Sequence, residues 1–156
     1  MKKTSLALLA ALLISSCGAN RGDNYKDPEI TVVVLEVTND LEKRGVDTSK
    51  VFNKVDSWDF DDNLPSNVNG ICIHGSKDTL WNLTQTDTGN HVHINRYHWD
   101  RMTSFERKSL ISHEVVGHCT WEKAHTERGV MRETLFAAVT QNGYENLMDN
   151  FASTLK

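Results

Sequence analysis

The first apolar run in the chain, residues 6–14, follows Lys2 and Lys3 and is too short to cross a bilayer as a permanent helix. Residues 18–29 (GANRGDNYKDPE) are polar, with glycines and a proline. They read as a flexible tether, so the folded domain is expected to begin near Ile30. Val33, Val34, Val37 and Leu41 then recur at helical spacing, with Gly45 as a stop, while the β-branched run 30–34 favours a strand. The balance predicts a helix centred on residues 35–44. Residues 51–60 alternate in part and predict a strand; 61–69 form a loop, and 70–74 a short strand or turn entry. In the segment HVHIN (91–95), Val92 and Ile94 share one face and His91 and His93 the other, as in a strand that could lie at a sheet edge. Ser104 is the expected N-cap of a helix running through Leu110, Ile111, Val115 and Val116 toward Cys119. Further helices are expected over 133–139 and 144–155. The order of strands among helices indicates an α+β fold with a few-stranded sheet, a motif-bearing helix and a C-terminal helix.

With 156 residues the chain can form one domain with a modest core. A formal net charge of -4 and the lack of a Lys/Arg cluster argue against a nucleic-acid partner. Nothing in the sequence calls for an oligomer, and a monomer is expected. The residues Ile14-Ser15-Ser16-Cys17, after the positive and apolar segments, resemble a bacterial lipoprotein processing site. That resemblance implies a signal peptide over 1–16, lipidation of Cys17, a tether over 17–29 and a domain over 30–156. The domain would be held at the bacterial envelope by its lipid alone. An ordinary signal peptide containing a cysteine is the plainer reading. If Cys17 carries lipid, Cys72 and Cys119 remain in an oxidising compartment, and a disulfide between them is the natural expectation. Two buried thiols, or a metal role for Cys119 beside His118, are the alternatives.

The segment richest in chemistry is 112–131, SHEVVGHCTWEKAHTERGVM. A catalytic zinc takes three protein ligands and leaves one position for water. Two histidines on one helical face, with a glutamate beside the first, supply two ligands and a general base. Here His113 and His118 are the helical ligands, Glu114 the base, and His125 the third ligand from the chain beyond.

These residues resemble the metzincins, zinc peptidases with an H-E-x-x-H-x-x-G-x-x-H helix and a Met-turn. They are more similar still to small bacterial lipoproteins with H-E-L-G-H-C-x-L-x-R-x-H followed by S-I-M. Gly117-His118-Cys119, His125 and Gly129-Val130-Met131 match that second pattern, with Met131 at the Met-turn. The resemblance implies a zinc-dependent peptidase acting on peptides or proteins: zinc activates water, Glu114 takes its proton and later delivers it to the leaving amine. One feature departs from both patterns. Val115, Val116 and Gly117 separate Glu114 from His118, so the histidines are five apart rather than four. At ~100° per residue a spacing of four leaves two side chains about 40° apart, and a spacing of five about 140°. A π-turn would absorb the extra residue; a regular α-helix would break the site and leave a non-catalytic zinc-binding or partner-binding lipoprotein. Outside the motif, an extended substrate could pair with 91–95 if that strand is an edge. His91 and His93 read as exposed strand histidines before a second metal site, and Tyr144 as a core residue before an oxyanion donor. The tryptophans read as core and cleft-wall residues.

Overall fold

A computed structural model of the chain describes residues 24–75, 89–132 and 139–156. Cys17, the segment ahead of it and the helix expected over 133–139 (Val139 apart) lie outside them. The fold is a small α+β domain with one three-stranded mixed sheet.

Helix α1 spans Pro28–Glu42 and takes in the whole β-branched run. Ile30, Val34, Val37 and Leu41 fall on one stripe and are fully buried. Burial of that stripe outweighs the strand preference of the run. The helix starts earlier than the spacing suggested because Asp27 caps it, its carboxylate accepting from the Glu29 N–H at 2.9 Å, with Pro28 in the first turn. Gly45, at φ 78°, turns the chain out of it. The ordered fold also begins ahead of Ile30. The Asp27 N–H donates to the Trp58 carbonyl at 2.8 Å, and the Trp58 N–H to the Tyr25 carbonyl at 3.1 Å. The segment 25–29 therefore belongs to the domain and not to the tether.

Residues 51–54, expected in a strand, close the short helix α2 (Ser49–Lys54), and β1 is confined to Val55–Phe60. Strands β2 (Gly70–His74) and β3 (Asn90–Ile94) complete the sheet in the order β1-β3-β2, with β3 parallel to β1 and antiparallel to β2. This corrects the edge expectation for 91–95: β3 is central and its backbone is paired on both sides. Residues 25–27 lie along the outer side of β1, so β2 is the open edge among the described residues.

After the short α3 (Arg96–Trp99) comes α4 (Ser104–Ile111). Its N-cap is Thr103, not Ser104. The Thr103 hydroxyl accepts from the Glu106 N–H at 3.3 Å, and the Glu106 carboxylate accepts from the Thr103 N–H at 2.7 Å, a reciprocal capping box. The helix α4 passes without a break into a π-helix over Ser112–Thr120. The last helix, α5 (Gln141–Leu155), begins three residues before Tyr144, capped by Thr140. Trp58, Trp99, Ile94, Ile111 and Met148 are fully buried between the sheet and the helices. No helix among the described residues is long and apolar enough to cross a membrane.

Candidate metal centre

The extra residue between Glu114 and His118 is taken up by the π-helix. A hydrogen-bond ring one residue longer than that of an α-helix brings side chains five apart back onto one face. The Trp121 N–H donates to the Val116 carbonyl at 3.0 Å, five residues back, and the Thr120 hydroxyl donates to the Val115 carbonyl at 2.7 Å. His113 and His118 thus point the same way. Beyond the helix, Glu122 adopts φ 54°, and the reversal there returns the chain so that His125 meets the other two.

The three Nε2 atoms converge: His113 to His118 is 3.0 Å, His118 to His125 is 3.0 Å and His113 to His125 is 3.3 Å. These are the three residues that sequence spacing selected, and they are the one group among the described residues that meets metal-ligand geometry. The His113 Nδ1–H donates to the Val130 carbonyl at 2.7 Å. With that proton on the outer nitrogen, the His113 Nε2 faces His118 and His125 as a lone pair, an arrangement that a shared cation relieves. Zinc–nitrogen bonds of ~2.0–2.1 Å in a tetrahedron set nitrogens ~3.3 Å apart, so the cluster fits such an ion with little movement.

Burial tunes the groups in the direction metal binding needs. His113 is pushed down to about 4, chiefly by desolvation, with His118 and His125 adding to the effect. His118 is lowered for the same first reason, with His125 next. Both rings are therefore held neutral, with lone pairs ready. Glu114 is pushed up to about 7 by burial, against the opposing pull of the Cys72 backbone. Its carboxylate lies 3.9 Å from the His113 Nε2, at the back of a cleft of ≈ 720 Å³.

Met131 is buried, its sulfur against the π-helix at Gly117. The Val130 carbonyl that holds His113 belongs to the same turn, which closes by a Thr126 N–H to Met131 carbonyl bond of 2.8 Å. A Cβ on Gly117 would lie 2.1 Å from the Met131 sulfur. The glycine is there because the methionine passes against the helix backbone, a reason separate from ease of helix distortion.

The Cys72–Cys119 disulfide is present, with Cα atoms 5.6 Å apart, and ties β2 to the π-helix. That leaves no thiolate for a metal role at Cys119. His91 and His93 do not form a second metal site: the His91 Nδ1 bonds the Ser57 hydroxyl at 2.6 Å and the His93 Nδ1 bonds Asp59 at 2.7 Å. Tyr144 is also distant in role. It is buried in the core with its hydroxyl donating to Asp40 at 3.1 Å, and burial raises its pKa further. His74 has no evident partner in the sequence. It stands on the cleft wall at the end of β2, its Nδ1 held at 3.0 Å by the Asn90 carboxamide, whose NH₂ is fixed on the Cys119 carbonyl at 2.9 Å. Its adjacency to Cys72 in the strand alternation was the signal that could have placed it there.

Comparison with protein-family models, with curated proteins and with solved structures gave no match. The centre is therefore read from its own geometry: three histidines that could hold a metal ion, a buried carboxyl group beside them, and an open cleft in front.

Proposed function

We propose that this protein is a zinc-dependent peptidase of metzincin-like type, held at the bacterial envelope by a lipid on Cys17. The observation that carries the reading is the convergence of the His113, His118 and His125 Nε2 atoms with Glu114 beside them. Three imidazoles at the mouth of a cleft favour zinc among common divalent ions and leave a position for water. When bound, the metal supplies Lewis acidity and lowers the pKa of the water it holds.

The protein's own groups supply the rest. Glu114, kept near neutrality in its pKa by burial, is suited to take a proton from the attacking water and return one to the departing amine. The polypeptide substrate is placed by β2. The Asn95 N–H bonds the Asn69 carbonyl and the Gly75 N–H the Gly89 carbonyl, so odd-numbered residues of this stretch face β3. Gly70, Cys72 and His74 accordingly turn their backbone groups to the open edge, where an extended peptide can add as a further strand. This takes the role first considered for 91–95. The lipid anchor rests on the sequence at 14–17.

The test is metal content and proteolysis of the purified protein supplied with zinc. The expected result is about one zinc per chain, with cleavage of a fluorescent casein that is lost in Glu114→Ala while the zinc remains. A chain that takes up no zinc would end the reading. A chain that holds zinc and cleaves none of a broad peptide library would be a zinc-binding envelope lipoprotein without catalysis.

A further inference from the structure

His74 stands on the cleft wall and has no part in the reaction outlined above. Along β2 its side chain falls on the same face as that of Cys72, whose sulfur is bonded to the π-helix, so strand alternation turns His74 toward the metal centre. It lines the cleft beside His113, Glu114, His118 and His125, and it lines an adjoining hollow of ≈ 460 Å³ with His118 and His125 again. The ring is fixed from behind. Asn90, its register partner on β3, gives its NH₂ to the Cys119 carbonyl at 2.9 Å. That leaves the Asn90 Oδ1 facing the His74 Nδ1 at 3.0 Å. A carboxamide oxygen only accepts, so the Nδ1 carries the proton and the neutral ring keeps its lone pair on Nε2. The Nε2 meets the Cys72 sulfur at 3.6 Å, which in a disulfide has no proton to offer.

We propose that His74 is a substrate-positioning contact of the peptidase site: its Nε2 accepts an N–H of the polypeptide lying along β2, and Asn90 sets the tautomer that makes this possible. Because His74 borders both the cleft and the adjoining hollow, an extended chain running from one to the other passes its ring. An acceptor without a donor of its own favours a substrate N–H over a carbonyl oxygen at that point, and so helps to fix the register of the bound chain. Metal binding does not call on His74, which is outside the group of three histidines that meets ligand geometry. The contact rests on the peptidase reading for its substrate, whereas the tautomer is a property of the fold.

The experiment combines ¹⁵N-histidine spectra, zinc content, and the binding and hydrolysis of fluorescent casein in the wild type, His74→Phe and Asn90→Ala. Binding is read by anisotropy in a Glu114→Ala background, where the base is gone. His74→Phe keeps a ring without its nitrogens, and it identifies the His74 signals by their loss. In the wild type the neutral ring should show a protonated Nδ1 and a bare Nε2, and Asn90→Ala should give a mixture of both tautomers. His74→Phe should weaken casein binding about 3- to 10-fold, and in the active protein raise KM by a similar factor with kcat little changed. Zinc stays at one per chain in His74→Phe. A wild-type His74 protonated on Nε2 instead, a tautomer indifferent to Asn90→Ala, unchanged casein binding in His74→Phe or loss of zinc from it would each overturn the inference. So would a protein that binds no casein at all. Should Asn90→Ala fail to fold, the wild-type tautomer decides the part of Asn90. Casein that is bound through His74 but left intact by the wild type counts against the peptidase reading alone.

Discussion

Two sets of histidines sit in this domain, and they differ in what surrounds their Nε2 atoms. His91 and His93 lie on regular central strand β3, each with its Nδ1 engaged by a side chain of β1, Ser57 or Asp59. Their alternation with Val92 and Ile94 sets them side by side on one face, yet nothing draws their Nε2 atoms to a common point. His113, His118 and His125 come from backbone that is locally unfavourable, a π-helix and a non-glycine residue at φ 54°, and their Nε2 atoms meet within 3.3 Å. Regular structure spreads ring nitrogens apart; irregular structure, where buried contacts enforce it, gathers them.

The largest expected effect breaks this contrast directly. His118→Ala leaves two nitrogen ligands and should abolish stoichiometric zinc binding, whereas His93→Ala should leave one zinc per chain and cost less than about 1 kcal/mol of stability. Metal analysis after dialysis and a thermal melt decide it. If His93→Ala also strips the metal, the strand histidines belong to the site after all.

The pH dependence separates the two sets next. In the metal-free protein His113 is held down to about 4 and Glu114 up to about 7, against 6.5 and 4.5 for the ordinary groups. A lowered histidine loses stability as pH falls below about 6.5; a raised carboxyl group loses it as pH climbs above about 4.5. Across the window between, the unfolded chain carries one proton on His113 and the folded protein carries it on Glu114. The pair therefore gives stability almost no slope there. The lowered pKa of His118 adds a loss toward acid. Zinc takes the lone pairs, so its affinity falls with pH only where the folded metal-free protein begins to protonate its ligands, and with His113 held neutral down to about 4 that fall is shifted toward acid. The stabilisation conferred by zinc, read as the difference in Tm with and without chelator, should shrink most steeply as pH falls toward about 4. A difference that stays constant down to about pH 4 would mean the metal does not sit on these nitrogens.

The floor of the site gives a smaller effect. Gly117→Ala places a methyl group on the Met131 sulfur, and displacing that side chain in a packed interior should cost about 1–3 kcal/mol. Because Met131 shares its turn with the Val130 carbonyl that orients His113, zinc affinity should fall too, by about 10-fold or more. Urea melts and a competitive zinc titration measure both. A variant as stable as the wild type would show that Met131 moves aside freely and is not a fixed floor.

Much of this was legible in the sequence, and the losses have definite causes. The three histidines that converge, the carboxyl group beside them and the disulfide partners could be named because metal chemistry and cysteine number restrict the choices to few residues. The π-helix was foreseeable as the one regular geometry that accommodates a spacing of five. Residue patterns failed where tertiary contacts decided the outcome. The helix expected over 35–44 forms, but it starts at Pro28 and takes in the β-branched run, because burial of Ile30, Val34, Val37 and Leu41 on one side exceeds local preference. The rank of β3 in the sheet could not be read from HVHIN, since alternation reports which face is buried and says nothing of what pairs at each edge. The crowding of Glu114 and Ile94 against Gly70 arises between segments far apart in sequence, and no local signal encodes it.

The smallest expected effect tests whether the irregular backbone under the gathered histidines is a cost to the fold. Glu122 occupies the left-handed region that glycine adopts freely, directly after the π-helix, where its N–H bonds the His118 carbonyl at 3.1 Å and the Lys123 N–H bonds the Gly117 carbonyl at 2.9 Å. Its carboxylate meets Lys54 at 3.2 Å, but both side chains are exposed, so that pair offsets little of the backbone strain. Glu122→Gly removes the clash of Cβ with the backbone and adds some freedom to the unfolded chain, for a net gain of about 0.5–1 kcal/mol. The turn that delivers His125 is retained, so zinc should bind as before. A rise in the urea midpoint with unchanged zinc affinity would show that the reversal is specified by the helix-end hydrogen bonds. A fall in zinc affinity would show instead that the glutamate stiffens the reversal and that the strain is what holds His125 against its partners.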